Sequence, residues 1–324
     1  MPERRPEGPA VVTGGAGAIG SYLVERLLAD GREVRVLDNF STGQRSNVPD
    51  GTPRLSVRTV DLGVAEPPAD ALRGASELWH LAANADIRKG TADPMTDVRN
   101  GSLATFHVLE QARKQDVRRL IFSSSSTVYG LASVLPTPET YGPAEPESLY
   151  GAAKLASEGL VSAYAHSYGF TSYIFRFANI IDGRMNHGIL HDFFEKLRAD
   201  PNRLEVLGDG TQAKSYLRTE DCVGGMLHVA NAVGAPVNLY NLGADDRTAV
   251  RSIAEKVVAV HGGRAQIVYG TGRRGWVGDV PEQLLAIDKV RALGWRPSAS
   301  STEAIDRTIA ELAVRRGVTP GKRP

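Results

Sequence analysis

Tyr150 and Lys154 stand four residues apart in the segment Tyr150-Gly-Ala-Ala-Lys154. On a helix that spacing puts both side chains on one face. A neighbouring ammonium favours phenolate over phenol, which moves a tyrosine toward use as a general base near neutral pH. Twenty-five residues before Tyr150 comes Ser125, inside Phe122-Ser-Ser-Ser-Ser-Thr-Val-Tyr-Gly130. Hydroxyls at the C-terminal edge of a parallel sheet face the ligand crevice. Ser123, Ser125, Ser126 and Thr127 are therefore candidate ligand contacts, with Ser125 able to bridge a substrate oxygen to Tyr150. The implied chemistry is removal and return of a hydroxyl proton.

A tyrosine and lysine at this spacing occur in many helices by chance, and their weight comes from a second motif. Thr13-Gly14-Gly15-Ala16-Gly17-Ala18-Ile19-Gly20 has glycines spaced GxxGxxG. Such a loop turns a strand sharply into a helix and lets backbone approach a pyrophosphate. The helix N-terminus then offers free N–H groups to the phosphates. The loop is expected to follow a strand and open a helix, and Asp38 closes the next strand eighteen residues beyond Gly20. A carboxylate there accepts hydrogen bonds from ribose hydroxyls and repels a 2′-phosphate, so NAD is favoured over NADP. Arg45 is the nearby cation that bears on this choice.

Composition narrows the class. The chain has 324 residues, with 38 Lys+Arg against 37 Asp+Glu, a net charge of +1. That balance argues against a general nucleic-acid binder. Cys222 is the only cysteine, so no intrachain disulfide or cysteine zinc cluster can form. It reads as a packed side chain near a helix start, beside Glu220 and Asp221. The charged N-terminus lacks a signal-like apolar core, and no apolar run is long enough to span a bilayer. A cytoplasmic location is expected, with no membrane partner. His187 and His191 are four apart, but Gly188 stands where a metalloprotease motif needs Glu, so no metal site is expected.

These residues must be positioned by regular elements. Strands are expected at Pro9–Thr13, Glu33–Leu37, Leu55–Val60, Leu78–Ala82, Arg119–Ser123 and Thr171–Phe177. Helices are expected at Ile19–Ala29, Val98–Gln115 and Leu149–Tyr168. The alternation predicts an α/β fold with a doubly wound parallel sheet. After about residue 180 glycine loops dominate, with short helices expected at Asp192–Ala199, Asp221–Asn231, Val250–His261 and Thr302–Val314. Residues 1–180 are read as a cofactor-binding domain and 181–324 as mainly a substrate-binding domain, with the chain free to cross back between them. The basic tail Arg315–Pro324 is expected to fray.

Together these segments resemble the extended short-chain dehydrogenase/reductase superfamily, in its NAD-dependent nucleotide-sugar epimerase branch. The resemblance covers almost the whole chain. It runs through Thr13–Gly20, Asp38-Asn39, Asp61-Leu62, His80-Leu-Ala-Ala83, Asn100, Ser123–Gly130, Tyr150–Lys154, Arg176-Phe-Ala-Asn179, Gly208-Asp-Gly210 and Arg274-Gly-Trp-x-Gly-Asp279. It implies a Rossmann-type sheet with a smaller, interleaved C-terminal α/β part. It implies that NAD is contacted by Asp61 and Leu62 near the adenine, and by Leu81, Ala82, Ala83, Asn100 and Ser123. Asn179, His187, Gly188, Lys214, Arg274 and Asp279 would meet the nucleotide sugar, and Gln283 would sit where bulky sugars are gated.

The resemblance also implies a reaction. Sugar-nucleotide 4,6-dehydratases carry an Asp-Glu pair where this chain has Ser126-Thr127, and the glutamate of UDP-glucuronate decarboxylases is missing as well. A site of hydroxyls suits reversible oxidation at sugar C4, that is, a UDP-sugar 4-epimerase working through a 4-keto sugar. Arg184, five residues after Asn179, stands where UDP-glucuronate 4-epimerases have an arginine, and an arginine can bind a C6 carboxylate through two hydrogen bonds. UDP-glucuronate to UDP-galacturonate is thus the expected conversion, and UDP-glucose/UDP-galactose the alternative. Two other classes remain open: a net NAD(P)-dependent reductase and a cofactor-sensing protein without activity. A homodimer is implied, through the helices at Val98–Gln115 and Leu149–Tyr168.

Overall fold

Alternating apolar side chains build a sheet buried on both faces. The computed structural model describes residues 7–318. Strands β1 (Ala10–Thr13), β2 (Val34–Asp38), β3 (Leu55–Thr59), β4 (Glu77–His80), β5 (Arg119–Ser125), β6 (Thr171–Phe177) and β7 (Val237–Leu242) form one sheet. Their order is β7-β6-β5-β4-β1-β2-β3, and every pairing is parallel. Successive strand residues point to opposite faces. Val11, Leu37, Leu78, Leu120 and Ile174 enter one buried layer. Their neighbours Ala10, Val12, Val36, Trp79, Ile121 and Tyr173 enter the other. This is the Rossmann-type α/β fold. Its strand order reverses between β1 and β4, which opens a crevice at their C-terminal ends.

Three helices carry the motifs. Helix α1 (Ala18–Ala29) opens directly after the glycine loop. A Cβ on Gly20 would lie 2.1 Å from the Gly14 carbonyl oxygen, so only glycine lets α1 begin this close to β1. The expected single helix over Val98–Gln115 is instead two pieces: a π-helical turn, Val98–Leu103, and helix α2 (Ala104–Lys114). The wider turn brings Gly101 against helix α3 (Leu149–Tyr168), where a Cβ would sit 2.8 Å from Ala153 Cβ. Helical periodicity in a sequence does not reveal one widened turn. Helix α3 has the expected bounds. Ser148 Oγ accepts from Gly151 N at 3.1 Å, and Gly169 ends the helix in the left-handed region.

Strand β7 is not among the expected strands. It comes from the irregular second half yet pairs along β6 from Val237 to Leu242. The expected helices of that half are present, with starts up to three residues earlier: α4 (Ile189–Ala199), α5 (Thr219–Ala232), α6 (Val250–Val260) and α7 (Ser301–Arg315). Phe193, Phe194, Val257, Ile305 and Ile309 form their own core. Cys222 is buried in α5, and burial pushes its thiol up, as for a packed and unreactive group. Of the tail expected to fray, Arg316 is anchored: it donates to Glu195 at 2.6 Å and to His191 Nδ1 at 2.8 Å. Residues 319–324 lie outside the described residues. Among the described residues no helix is long and apolar enough to cross a membrane.

A Gly20→Ala substitution should cost about 1–3 kcal/mol, because the added methyl meets backbone that cannot move away. Urea unfolding with and without added NAD measures both the lost stability and any loss of cofactor binding.

Candidate active site

The end of β5 and the start of α3 converge on one cluster. Lys154 is buried, and its Nζ donates to the Ser123 carbonyl at 2.5 Å. It lies 4.9 Å from the Phe122 ring centroid and 5.8 Å from that of Tyr150. Burial lowers the ammonium to about 8. Ser125 Oγ accepts from Thr127 N at 3.2 Å and from Thr127 Oγ1 at 3.0 Å, so the strand-end hydroxyls form a connected set. The Ser125 side chain also bonds Tyr150.

The expectation that Lys154 lowers Tyr150 is not met within the protein alone. Burial and the negative Asp97 push the phenol up to about 12, and only the Ser125 hydrogen bond opposes them. An ammonium lowered to about 8 has lost its charge before a phenol held at about 12 ionises. Asp97 is fully buried, accepts from Asn84 Nδ2 at 2.9 Å, and is itself pushed up by burial.

The hydroxyl end of this cluster opens on a cavity of about 410 Å³. Ser125, Ser126, Thr127, Tyr150, Asn179, His187, Gly188, Lys214 and Asp279 all reach it, as does Gln283. Two expected contacts do not. Arg274 pairs with Glu147 at 3.0 Å, although its neighbours Gly275 and Trp276 line the wall. Arg184 is turned onto α1, donating to Ser21 Oγ at 3.0 Å and Glu25 at 2.9 Å. That arrangement does not fit the expected role of carboxylate reader: the guanidinium already has a carboxylate and faces away from the cavity. Lys214 is paired with Asp279 at 2.5 Å. His187 lies beside Asn186, and His191 is engaged by Arg316.

At the glycine loop, Asp38 Oδ2 accepts from Ala16 N at 2.9 Å and Oδ1 from Phe40 N at 2.8 Å. Asn39 Oδ1 accepts from the Ser41 amide and hydroxyl. Ala82 N donates to Thr13 Oγ1 at 3.2 Å, and Leu81 N to Thr13 O at 3.2 Å, which brings Leu81–Ala83 alongside the loop. A point 3.1 Å from Asn100 Oδ1 and 3.3 Å from Asp61 Oδ1 marks where a Cβ on Gly63 would lie, so those two side chains face one spot. Leu62 is buried beside them. Arg45 is drawn off to Asp50 and the Val48 carbonyl.

A model of the NAD dependent epimerase/dehydratase family matches residues 10–243. The chain belongs to that family. It is similar to a putative UDP-glucose 4-epimerase of Methanocaldococcus jannaschii, with 28% identity over 92% of this chain and 96% of that one. A solved structure of UDP-galactose 4-epimerase shares 40% identity at a TM-score of 0.84, covering 95% of this chain and 99% of that chain. A solved structure of MoeE5 in complex with UDP-glucuronic acid and NAD shares 28% identity at a TM-score of 0.83, over 96% and 100%. These likenesses put the chain in the NAD-dependent nucleotide-sugar epimerase branch of the extended short-chain dehydrogenases.

The family's NAD fits the residues present. Gly14 sits at φ +68°, and a Cβ there would meet Ala82 N at 2.7 Å, so the loop is a bare-backbone cradle. The first amides of α1 have no partner within the helix, and Asp38, at the end of β2 beside the loop, would meet the ribose hydroxyls.

The motifs do not reveal what several residues beside this site do. Glu158, one turn beyond Lys154, pairs with Arg176 through three hydrogen bonds, 2.6, 2.9 and 3.3 Å, and accepts from Ser124 Oγ. A Tyr150-Lys154-Glu158 stripe at four-residue intervals was the available signal. His80 is fully buried and links the cofactor loop to α2. Thr13 Oγ1, already accepting from Ala82, is 2.7 Å from His80 Nδ1; His80 Nε2 is 3.1 Å from Thr105 Oγ1, which donates to the Gly101 carbonyl. That chain of donors closes with a neutral ring protonated at Nε2.

Burial lowers His80 to about 3. Above pH 6.5 the ring is neutral in both folded and unfolded chains. Below it only the unfolded chain takes up the proton, until about pH 3. Stability should therefore fall by about 1.4 kcal/mol per unit on this account as pH drops from 6.5 toward 3. Urea unfolding of the protein and of His80→Asn between pH 7 and 4 should show this slope in the first and its loss in the second.

Proposed function

We propose that the protein interconverts UDP-sugars epimeric at C4 through a 4-keto sugar, with NAD held throughout. The observation that carries this reading is the cavity wall at the end of β5. It presents Tyr150, Ser125 and Thr127 as hydroxyls, and Ser126-Thr127 holds no carboxylate. Elimination of water needs an acid and a base beside the hydroxyl, which this stretch does not supply.

Bound NAD supplies a reversible hydride acceptor and a positive charge. Tyr150 takes the 4-hydroxyl proton and returns it, with Ser125 as the bridging hydroxyl. Since burial and Asp97 hold the phenol high, it becomes a base only when further positive charge stands beside it. Lys154 orients the cofactor ribose. The glycine loop, Asp38, Asn39, Asp61 and Asn100 hold the adenosine end. Asn179, Lys214, Asp279 and Gln283 line the nucleotide-sugar end.

A neutral hexose, UDP-glucose or UDP-galactose, fits this cavity better than UDP-glucuronate. Arg184 is spent on Glu25, the cavity cations Arg88 and Lys214 are already paired, with Asp86 and Asp192 and with Asp279, and the third, Lys196, donates to the Glu205 backbone carbonyl at 2.8 Å. A second reading, UDP-glucuronate, draws support from the likeness to MoeE5. The homodimer is proposed on the apolar side chains Met95, Val98, Leu103, Phe106 and Leu149, exposed along the short helix Pro94–Asp97, the π-helical turn, α2 and α3.

Purified protein given a panel of UDP-sugars without added NAD should yield C4 epimers by NMR and mass spectrometry. Consumption of cofactor in step with product would mean a reductase instead. Tyr150→Phe should lower kcat by about 10²–10⁴-fold and leave bound NAD in place. Phe106→Asp should shift the mass measured by light scattering from dimer to monomer.

A further inference from the structure

Residues 182–188 alternate in what they face. Asp182, Met185, His187 and Gly188 line the cavity. Arg184 and Asn186, between them, turn outward and are anchored on two other segments. Arg184 donates to Ser21 Oγ and to Glu25, and its guanidinium lies 4.0 Å over the Tyr22 ring. All three partners belong to α1, the helix that the glycine loop opens. The backbone N–H of Arg184 donates to the Asp182 carboxylate, which fixes the turn. Asn186 Nδ2 donates to the Thr42 carbonyl at 3.0 Å.

Thr42 belongs to the segment that follows Asp38, and this segment is itself fastened to the glycine loop. Gln44 N and Asn47 Nδ2 both donate to the Ala16 carbonyl, at 3.1 and 3.0 Å. A Cβ on Gly43 would lie 2.9 Å from the Ala16 carbonyl carbon. One loop from the second half of the chain is thus pinned on both sides of the dinucleotide fingerprint. One anchor is on α1 and the other on the segment after the ribose-binding acid.

We infer that residues 182–188 form a strap that retains NAD, with Arg184 and Asn186 as its positioning residues. Neither touches the reacting atoms. A dinucleotide can leave the glycine loop only if α1 and the 39–43 segment are free to part from the loop above them, and the two anchors oppose that. The Arg184 anchor is the stronger, because a charged fork with an ion pair outweighs a single neutral hydrogen bond. The same loop carries His187 and Gly188 to the sugar end, so retention and the shape of that end are set by one piece of chain. This inference concerns cofactor retention and holds whichever sugar is turned over.

The retention test uses whole protein and no sugar, and a companion assay compares turnover of UDP-glucose and UDP-glucuronate. Bound NAD is exchanged against labelled NAD, and the exchange rate is compared among variants. Arg184→Ala should exchange about tenfold faster or more, a loss of about 1.4 kcal/mol for each factor of ten. Asn186→Ala should exchange faster by a smaller factor. Arg184→Lys should recover part of the effect, since an ammonium can pair with Glu25 but cannot also fork to Ser21. Glu25→Gln breaks the same anchor from the α1 side and serves if Arg184→Ala fails to fold. Parent-like exchange in both Arg184→Ala and Asn186→Ala overturns the strap. So does a turnover loss confined to UDP-glucuronate with exchange unchanged, which would return Arg184 to reading a carboxylate.

Discussion

A buried ammionium bound by a backbone carbonyl sets the geometry of this protein. Lys154 has the Ser123 carbonyl and the face of Phe122 as its partners, both on β5. Removing a cation from water is costly unless its donors are met, so α3 cannot drift from the end of β5 without stranding that charge. Everything near the site conforms to this fixed approach. Gly101 and the π-helical turn let the neighbouring segment close on Ala153. Glu158 and Arg176 meet one turn further along α3 and hold Ser124. Tyr150 is then carried to the cavity wall as a consequence of where Lys154 must be.

The electrostatics give that placement a direction. The resident groups leave Tyr150 a poor base: burial and Asp97 hold its proton, and Lys154 loses its charge first. A phenol in such a site ionises in response to added positive charge, and under the proposed function this would couple its readiness to the presence of the oxidised cofactor. His80 plays a structural part in the same region. Its neutral ring ties Thr13, before the glycine loop, to Thr105 on α2.

Features set by local chemistry were legible in the sequence. The glycine loop needs close backbone approach, which glycine spacing announces. Helix α3 is bounded by Ser148 and Gly169, a cap at each end, so its limits could be read to the residue. Features set by distant contacts were hidden. Strand β7 owes its place to β6, more than sixty residues earlier. The widened turn before α2 answers to Ala153 on another helix. Arg184 has the type and position of a ligand contact, but its direction depends on Glu25 and Tyr22, far away in the chain. The pull of Asp97 on Tyr150 depends in the same way on which helices pack together.

Strand β7 also bears on how such a protein can be rebuilt. Asn241, fully buried near its end, accepts from Tyr129 Oη at 2.8 Å and donates to the carbonyls of Thr137 and Ala286 at 3.0 and 3.1 Å. Its backbone N–H donates to the Glu139 carboxylate. The second half of the chain therefore supplies both the last strand of the scaffold and a tie to the loops around the cavity. A transplant cut near residue 180 would expose the long edge of β6, an invitation to unwanted strand pairing. Exchanging sugar specificity between relatives as a cassette calls for two separate grafts, with Val237–Leu242 left in its original host.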